Sequence, residues 1–150
     1  MTNQQELERA YKDTKLSEHF TLWEMGRSDT ARQQGIENVP NQREIQNLTI
    51  LCQHILEPAR KQYGKELVIS SGFRSEALNK AVGGAKNSLH LQGRAADINV
   101  ANLRPQDRVT LYDILKSLNP TQLIPEDKHG IVDLQTDDNW WQVRWIHVAC

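Results

Sequence analysis

The chain has 150 residues, of which 38% are hydrophobic, and its formal net charge is −1 at pH 7. This length predicts one domain over residues 1–150 with a modest core. The near-neutral charge disfavours a general nucleic-acid binder, and no apolar run approaches the ~20 residues of a membrane span.

The amino-terminal segment 1–15 is polar and charged, which predicts a surface arm or a short helix. It lacks the basic and apolar regions of a signal peptide, so we expect synthesis in the cytoplasm. After it, Ser17 is a candidate cap for a short turn that places Phe20, Leu22 and Trp23 against the body of the domain.

A long helix is predicted from Asn41 to Tyr63. Asn41 is a typical N-cap, and Glu44 stands three positions later, as in a capping box. Pro58 lacks a backbone donor and is expected to bend the helix, which Gly64 ends. One apolar stripe with helical spacing is expected to be buried: Ile45, Leu48, Leu51, Cys52, Ile55, Leu56 and Ala59.

The remaining elements are short. Strands are expected at 66–71, 95–100, 122–124, 131–134 and 145–149. Helices are expected at 75–81 and 102–119, and the polar cluster 136–139 is typical of a turn. Short strands beside a wide helical stripe predict an α+β fold, in which helices flank a small and mainly antiparallel sheet.

In two of these strands, successive side chains alternate between an apolar face and a face that carries polar residues. Asp97 falls on the face opposite Ile98, and near the end of the chain His147 falls opposite Ile146. If the two strands are neighbours, Asp97 and His147 share a face. A turn before the first strand then brings His90 within reach of both.

Two imidazoles and one carboxylate with an open fourth position form the ligand set of a catalytic zinc site. His90, Asp97 and His147 are therefore candidate ligands for one zinc ion. The spacing leaves a plainer alternative open, in which the histidines are ordinary core or surface residues and Asp97 caps a turn or pairs with Arg94.

Several motifs, in order, resemble those of one known family. They are Leu16–Glu24, Ser71-Gly72-Phe73-Arg74, the loop Leu78–Ser88, Ser88-x-His90-x-x-Gly93-x-Ala95-x-Asp97 and Trp145-x-His147. Together they resemble the zinc D-alanyl-D-alanine carboxypeptidases, which include vancomycin-resistance dipeptidases and phage endolysin peptidases. The resemblance extends from about Leu16 to Ala149, nearly the whole chain.

The resemblance implies the Hedgehog-like fold of zinc D,D-peptidases, with one zinc ion on His90, Asp97 and His147. It also implies that Arg74 reaches into the cleft and supports the developing oxyanion. Ser88 and Gln122 are weaker candidates for polar contacts to the substrate, which would be a D-Ala-containing peptidoglycan stem peptide.

One position departs from the family pattern. Its familiar members carry the general base three residues before the final histidine, where this chain has Arg144, and a guanidinium stays protonated and cannot act as a base. The segment Gln122–Glu126 resembles one found in a branch of the family, so Glu126 is our first choice of base. Asp133 is the second, ahead of the pair 137–138.

The resemblance therefore leaves two functions to compare. One is a monomeric carboxypeptidase or endopeptidase that acts on the cell wall once it is released or exported. The other is a zinc-containing module that has lost catalysis and serves in wall binding or as a structural part of a virion, and Arg144 is the feature that favours it.

Overall fold

The structure, a computed structural model, describes residues 3–134 and 137–150. Its α-helices are α1 (Asn3–Asp13), α2 (Leu22–Gly26), α3 (Asp29–Gln34), α4 (Gln42–Leu51), α5 (Glu57–Tyr63), α6 (Glu76–Ala81) and α7 (Pro105–Ser117). Its strands are β1 (Val68–Ser71), β2 (Ala95–Asn99), β3 (Gln122–Asp127), β4 (Gly130–Ile131) and β5 (Trp145–Ala149). Among the residues described, no helix has the length and apolar character needed to span a membrane.

The described strands form one sheet in the order β1-β2-β5-β3-β4, and every neighbouring pair is antiparallel. One face of this sheet carries Ile98 of β2 and Ile146 of β5, which are buried in the same apolar cluster as Leu48 and Leu111 of the helices. The predicted α+β fold is confirmed. The opposite face of the sheet is left for polar side chains.

The predicted helix from Asn41 to Tyr63 needs one correction. Asn41 and Glu44 form the expected capping box, and Gly64 ends the helix with φ of 79°. Between α4 and α5, however, the segment Cys52–Leu56 is a π-helical turn, in which the N–H of Glu57 donates to the carbonyl of Cys52. Pro58 follows immediately, and its missing N–H and bulky ring disturb the α-helical ladder at this point.

Several other boundaries differ from those predicted. Strand β3 continues to Asp127, so Glu126 belongs to the sheet, whereas β4 is confined to Gly130–Ile131. Strand β1 begins at Val68, two residues later than expected. In place of the predicted turn, a 3-10 helix covers Asp137–Gln142, and Thr136 lies outside the described residues.

Glu57 is a buried carboxylate that fastens the segment before α2 to the start of α5. It is 6% exposed and accepts hydrogen bonds from the Ser17 hydroxyl at 2.8 Å and from the N–H and Nδ1 of His19, both at 2.7 Å. Burial alone raises the pKa of Glu57, but these hydrogen bonds outweigh it and lower the pKa below its usual range. Ser17 therefore does not cap α2, a role that Thr21 fills.

We expect Glu57→Gln to lower the free energy of unfolding by about 1–2 kcal/mol, because it removes charge-assisted hydrogen bonds from a buried position. Urea denaturation at pH 7 measures this loss. Because the folded-state pKa is lowered, the stabilisation is present above the unfolded pKa of about 4.3 and disappears as the pH falls through the folded value.

Glu18→Gln is the matched control, since Glu18 is exposed and its carboxylate lies 3.6 Å from the Lys61 amine. A surface pair of this kind contributes little, so its loss should leave the stability nearly unchanged. Equal stability of the Glu57 variant and the wild type at pH 7 would contradict the role given to Glu57.

Candidate metal centre

The strand register brings the three candidate ligands to one place. Strands β2 and β5 are neighbours, and Asp97 pairs directly with His147. The 3-10 helix Leu89–Gln92 holds His90 beside them. All three side chains are buried, and one ligand atom from each lies within 4.8 Å of the others.

Local sequence explains how His90 reaches the sheet. The Ser88 hydroxyl caps the short helix by accepting from the N–H of His90 at 3.2 Å, and Gly93 ends it with φ of 70°. A Cβ at Gly93 would lie 2.6 Å from the carbonyl oxygen of Glu44, so only glycine permits both this backbone angle and this close approach to α4.

Hydrogen bonds fix which nitrogen of each imidazole carries its hydrogen. Nδ1 of His90 lies 2.6 Å from the carbonyl oxygen of Gly72, which can only accept, so this nitrogen is the donor. Nε2 of His147 lies 2.8 Å from the Oε1 of Gln122 and donates to it in the same way. In the neutral form of each ring, the nitrogen without a hydrogen, Nε2 of His90 or Nδ1 of His147, therefore faces the centre.

Those two nitrogens meet a carboxylate oxygen. Nε2 of His90 and Nδ1 of His147 lie 3.2 Å and 3.1 Å from Oδ1 of Asp97. Burial alone raises the pKa of Asp97, but as long as no cation lies between the three residues, a hydrogen or positive charge on His147 or His90 outweighs burial and holds the pKa well below its usual range. Asp97 is therefore ionised at neutral pH, and three lone pairs converge on one buried point.

Three converging lone pairs repel one another unless a cation lies between them. Two neutral imidazoles and an ionised carboxylate with an open fourth side fit a zinc ion of the catalytic type. The second nitrogen of each histidine also donates a hydrogen bond to an oxygen, as in most zinc-binding histidines. The residues present thus fit the metal.

The second oxygen of Asp97 is held from another direction. The Nη2 of Arg74 donates to Oδ2 of Asp97 at 3.2 Å, and the Nε of Arg74 donates to the hydroxyl of Ser71 at 3.0 Å. Asp97 therefore turns one oxygen toward the histidines and the other toward a half-buried guanidinium. The alternative partner considered from sequence, Arg94, instead donates to the carbonyl of Cys150.

Glu126 lies on the same face of the sheet as the candidate ligands. In strand β3, Ile124 pairs with His147 and Glu126 pairs with Trp145, so alternation directs Glu126 to the side of His147. Burial raises the pKa of Glu126, as does the charge of Asp97, while His147, His90 and Arg74 lower it by smaller amounts. A half-buried carboxylate with a raised pKa is a typical candidate for a general base.

Comparison with known proteins agrees with this geometry. A sequence profile described as peptidase M15 matches residues 18–134. The chain belongs to the peptidase M15 family. This is the family of zinc D-alanyl-D-alanine carboxypeptidases, so the resemblance noted from the motifs is confirmed. The matched segment contains His90, Asp97 and Glu126 and ends before His147. No curated protein matches the chain.

The family's usual position for the base is occupied here by Arg144, and the structure shows where that side chain lies. Arg144 is exposed and lies just before β5. It is two positions from Ile146, so alternation places it on the side of Ile146 and not on the side of His147. Its charge acts on the helix side of the sheet, where it adds to burial in lowering the pKa of Arg108. Its own N–H donates to the carbonyl of Glu126 at 2.8 Å.

The other sequence candidates lie in different surroundings. Gln122 is exposed at the start of β3 and contacts His147, while Ser88 is half-buried at the cap of the His90 helix. Asp133 is exposed and lies beyond β4. The side chains of Asp137 and Asp138 are outside the described part of the chain.

Sequence reasoning missed two residues that organise this M15 centre. Gly72 supplies the carbonyl that orients His90, and a Cβ there would collide with the carbonyl of Met25 in α2. Asn79 is 5% exposed and accepts from the Nη1 of Arg74 at 3.1 Å. Both lie inside motifs that resemble the family, but nothing in their residue type alone signals these contacts.

Proposed function

We propose that the protein is a zinc-dependent peptidase that hydrolyses D-Ala-containing bonds in peptidoglycan stem peptides. His90, Asp97 and His147 hold one zinc ion, Glu126 is the general base, and Arg74 stabilises charge in the transition state. The observation that carries this proposal is the convergence of the three lone pairs of His90, Asp97 and His147 beside a carboxylate on the open face of the sheet.

The proposal assigns a distinct task to each group. A zinc ion, when bound, supplies a Lewis acid that polarises the scissile carbonyl and lowers the pKa of a water molecule. Glu126 accepts the proton of the attacking water and delivers it to the leaving amine. The raised pKa of Glu126 favours the first of these steps, because the carboxylate then accepts the proton of water more readily than an ordinary one.

Arg74 is suited to bind developing negative charge. A guanidinium has five N–H donors, and Ser71, Asn79 and Asp97 use three of them among the described residues. Two N–H groups therefore remain for a substrate oxygen, on a side chain whose orientation is already fixed. Such a preorganised donor stabilises an oxyanion without rearrangement during the reaction.

Ser88 and Gln122 complete the proposed cleft. The oxygen of the Ser88 hydroxyl accepts from the backbone of His90, which leaves its hydrogen for a substrate carbonyl. Gln122 uses its oxygen on His147 and keeps its NH₂ group for the same purpose. The hydroxyl hydrogen of Ser88 and the NH₂ group of Gln122 would then be the groups that bind the substrate.

We expect Arg74→Ala to lower kcat by about 10²–10³, the scale of losing one preorganised donor to an oxyanion. Arg74→Lys should recover little, since an ammonium cannot reproduce the fork of the guanidinium. Turnover is measured at saturating zinc, with Arg104→Ala as the control because Arg104 is exposed and pairs with Asp107 three residues along the chain. A normal kcat with a lower melting temperature would show that Arg74 is only a structural brace.

The proposed function is tested with defined muropeptides and a parallel zinc determination. A pentapeptide stem ending in D-Ala-D-Ala reports carboxypeptidase activity as released D-Ala, and a crosslinked dimer reports endopeptidase activity as separated stems. We expect at least one of the two reactions, with about one zinc per chain. Zinc-loaded protein that cleaves neither substrate would contradict the proposal.

One observation favours a second candidate function. Arg144 occupies the position of the familiar base, so a zinc-containing wall-binding or virion module without catalysis would explain the same centre. Binding of zinc-loaded protein to intact peptidoglycan, without any release of D-Ala, is the result that supports this alternative.

A further inference from the structure

Asn79 is a buried amide on α6 that connects a surface loop with the candidate metal centre. Its Nδ2 donates to the carbonyl of Ala85 at 2.9 Å, and its Oδ1 accepts from the Nη1 of Arg74 at 3.1 Å. Its own backbone carbonyl accepts from the N–H of Gly84 at 2.8 Å. The flanking Lys80 is exposed, so burial of this asparagine is a specific feature of the position.

The contact with Asn79 matters because of what Arg74 holds at its other nitrogens. Nε of Arg74 donates to Ser71 and Nη2 donates to Oδ2 of Asp97. A guanidinium is planar and rigid, so fixing Nε and Nη1 also fixes the direction in which Nη2 points. Ala85, Asn79, Arg74 and Asp97 therefore form one continuous series of hydrogen bonds that ends at a candidate zinc ligand.

The loop that contains Gly84 packs directly against the side chains of Asn79 and Arg74. A Cβ at Gly84 would collide with the Oδ1 of Asn79 and lie 2.8 Å from the Nη1 of Arg74. Glycine at this position therefore lets the loop approach the buried amide and the guanidinium together. The side of Asn79 away from Arg74 is thus closed by the loop backbone, which leaves its amide one orientation.

We propose that Asn79 is a positioning residue for the metal centre, acting through Arg74. Its amide holds the guanidinium so that Nη2 faces Asp97, and thereby keeps Oδ1 of Asp97 directed at the two histidines. The inference rests on the proposed zinc site and extends it to a residue whose side-chain hydrogen bonds, among the described residues, go to Arg74 and Ala85 rather than to the ligand set. Partners of this kind around a metal typically change affinity or activity by 10–100-fold.

The test is a double-mutant cycle on zinc affinity, measured on the full chain by competition with a chromogenic chelator. Asn79→Ala should weaken zinc binding by about tenfold in the wild-type background. In the Arg74→Ala background the same substitution should change affinity by less than about twofold, because the residue through which it acts is gone. In the muropeptide assay at saturating zinc, Asn79→Ala should lower kcat with little change in KM.

Two further variants guard against a simple folding defect. Asn79→Asp keeps an oxygen that accepts from Arg74 but sets its second oxygen against the carbonyl of Ala85, so its zinc affinity should fall less than that of Asn79→Ala. Asn47→Ala removes a comparable amide contact, to the carbonyl of Gln92 at 2.8 Å, and should leave zinc affinity unchanged. A loss in Asn79→Asp as large as that in Asn79→Ala would overturn the inference.

The outcomes separate this inference from the proposed function. Wild-type protein that binds no zinc contradicts both. If the wild-type protein binds zinc but Asn79→Ala lowers zinc affinity equally with Arg74 and with Ala at position 74, only the role of Asn79 is overturned. Unchanged affinity in Asn79→Ala has the same consequence.

Discussion

Replacing Glu126 with Gln is expected to lower muropeptide hydrolysis by about 10²–10⁴, the usual contribution of general acid–base catalysis. Glu126 is not among the three candidate ligands, so the variant should still bind about one zinc. The amide keeps the size of the carboxyl group and one of its acceptor oxygens but cannot accept the proton of water. Initial rates on the preferred muropeptide, with zinc content measured on the same samples, provide the measurement.

Asp133→Asn is the matched control for this experiment. Asp133 is exposed beyond β4, whereas Glu126 lies in the sheet two residues from the partner of His147. We expect the Asp133 variant to retain nearly full activity. An active Glu126 variant together with an inactive Asp133 variant would mean that the base has been assigned to the wrong carboxylate.

Removing a single candidate ligand should abolish stoichiometric zinc binding. In His90→Ala or Asp97→Ala only two donors remain, which is too few for a stable tetrahedral site. Zinc content after dialysis against metal-free buffer should fall from about one per chain to a small fraction of that value. The loss should be accompanied by loss of hydrolysis, while the far-UV circular dichroism of the variants stays similar to that of the wild type.

His129 offers a control of the same residue type. It lies in the turn between β3 and β4, where its N–H donates to the carboxylate of Asp127 at 2.7 Å, and it is exposed. His129→Ala should therefore keep its zinc. Full zinc retention in both His90→Ala and Asp97→Ala would show that these residues are not the ligands.

Alternation in the strands was sufficient to predict which side chains share the polar face. The period of two fixes Asp97 opposite Ile98 and His147 opposite Ile146 regardless of the rest of the fold. The pairing of β2 with β5 is a long-range contact that alternation cannot supply. The prediction of a shared site therefore had to assume that β2 and β5 are neighbours. The family resemblance supported this assumption, and the strand register confirms it.

The extent of β3 was underestimated because Pro125 reads as the end of a strand. In the structure the carbonyl of Pro125 accepts from the N–H of Val132 at 2.9 Å. The proline nitrogen faces that same side, toward the short strand β4, so its missing hydrogen removes no bond to β5. Strand β3 therefore continues through Glu126. This could not be predicted from the sequence, because it depends on which strand lies on each side of β3.

Asn79 could not be recognised from the sequence for a different reason. An asparagine in a short helix beside a lysine is typical of an exposed position. Its burial results from the Arg74 side chain and the loop at Gly84 closing over it, and both contacts arise only in the folded chain. The π-helical turn at Cys52–Leu56 was not predicted either, because Pro58 indicated a bend in the helix and not the widened turn that precedes it.

The central claim is that one zinc ion binds between His90, Asp97 and His147. Anomalous scattering at the zinc edge from crystals of the wild-type protein tests it directly. We expect a single strong peak contacted by Nε2 of His90, Oδ1 of Asp97 and Nδ1 of His147. A peak at the second cluster of possible donors, Glu18, His19 and Glu57, or no peak from zinc-loaded crystals, would contradict the assignment.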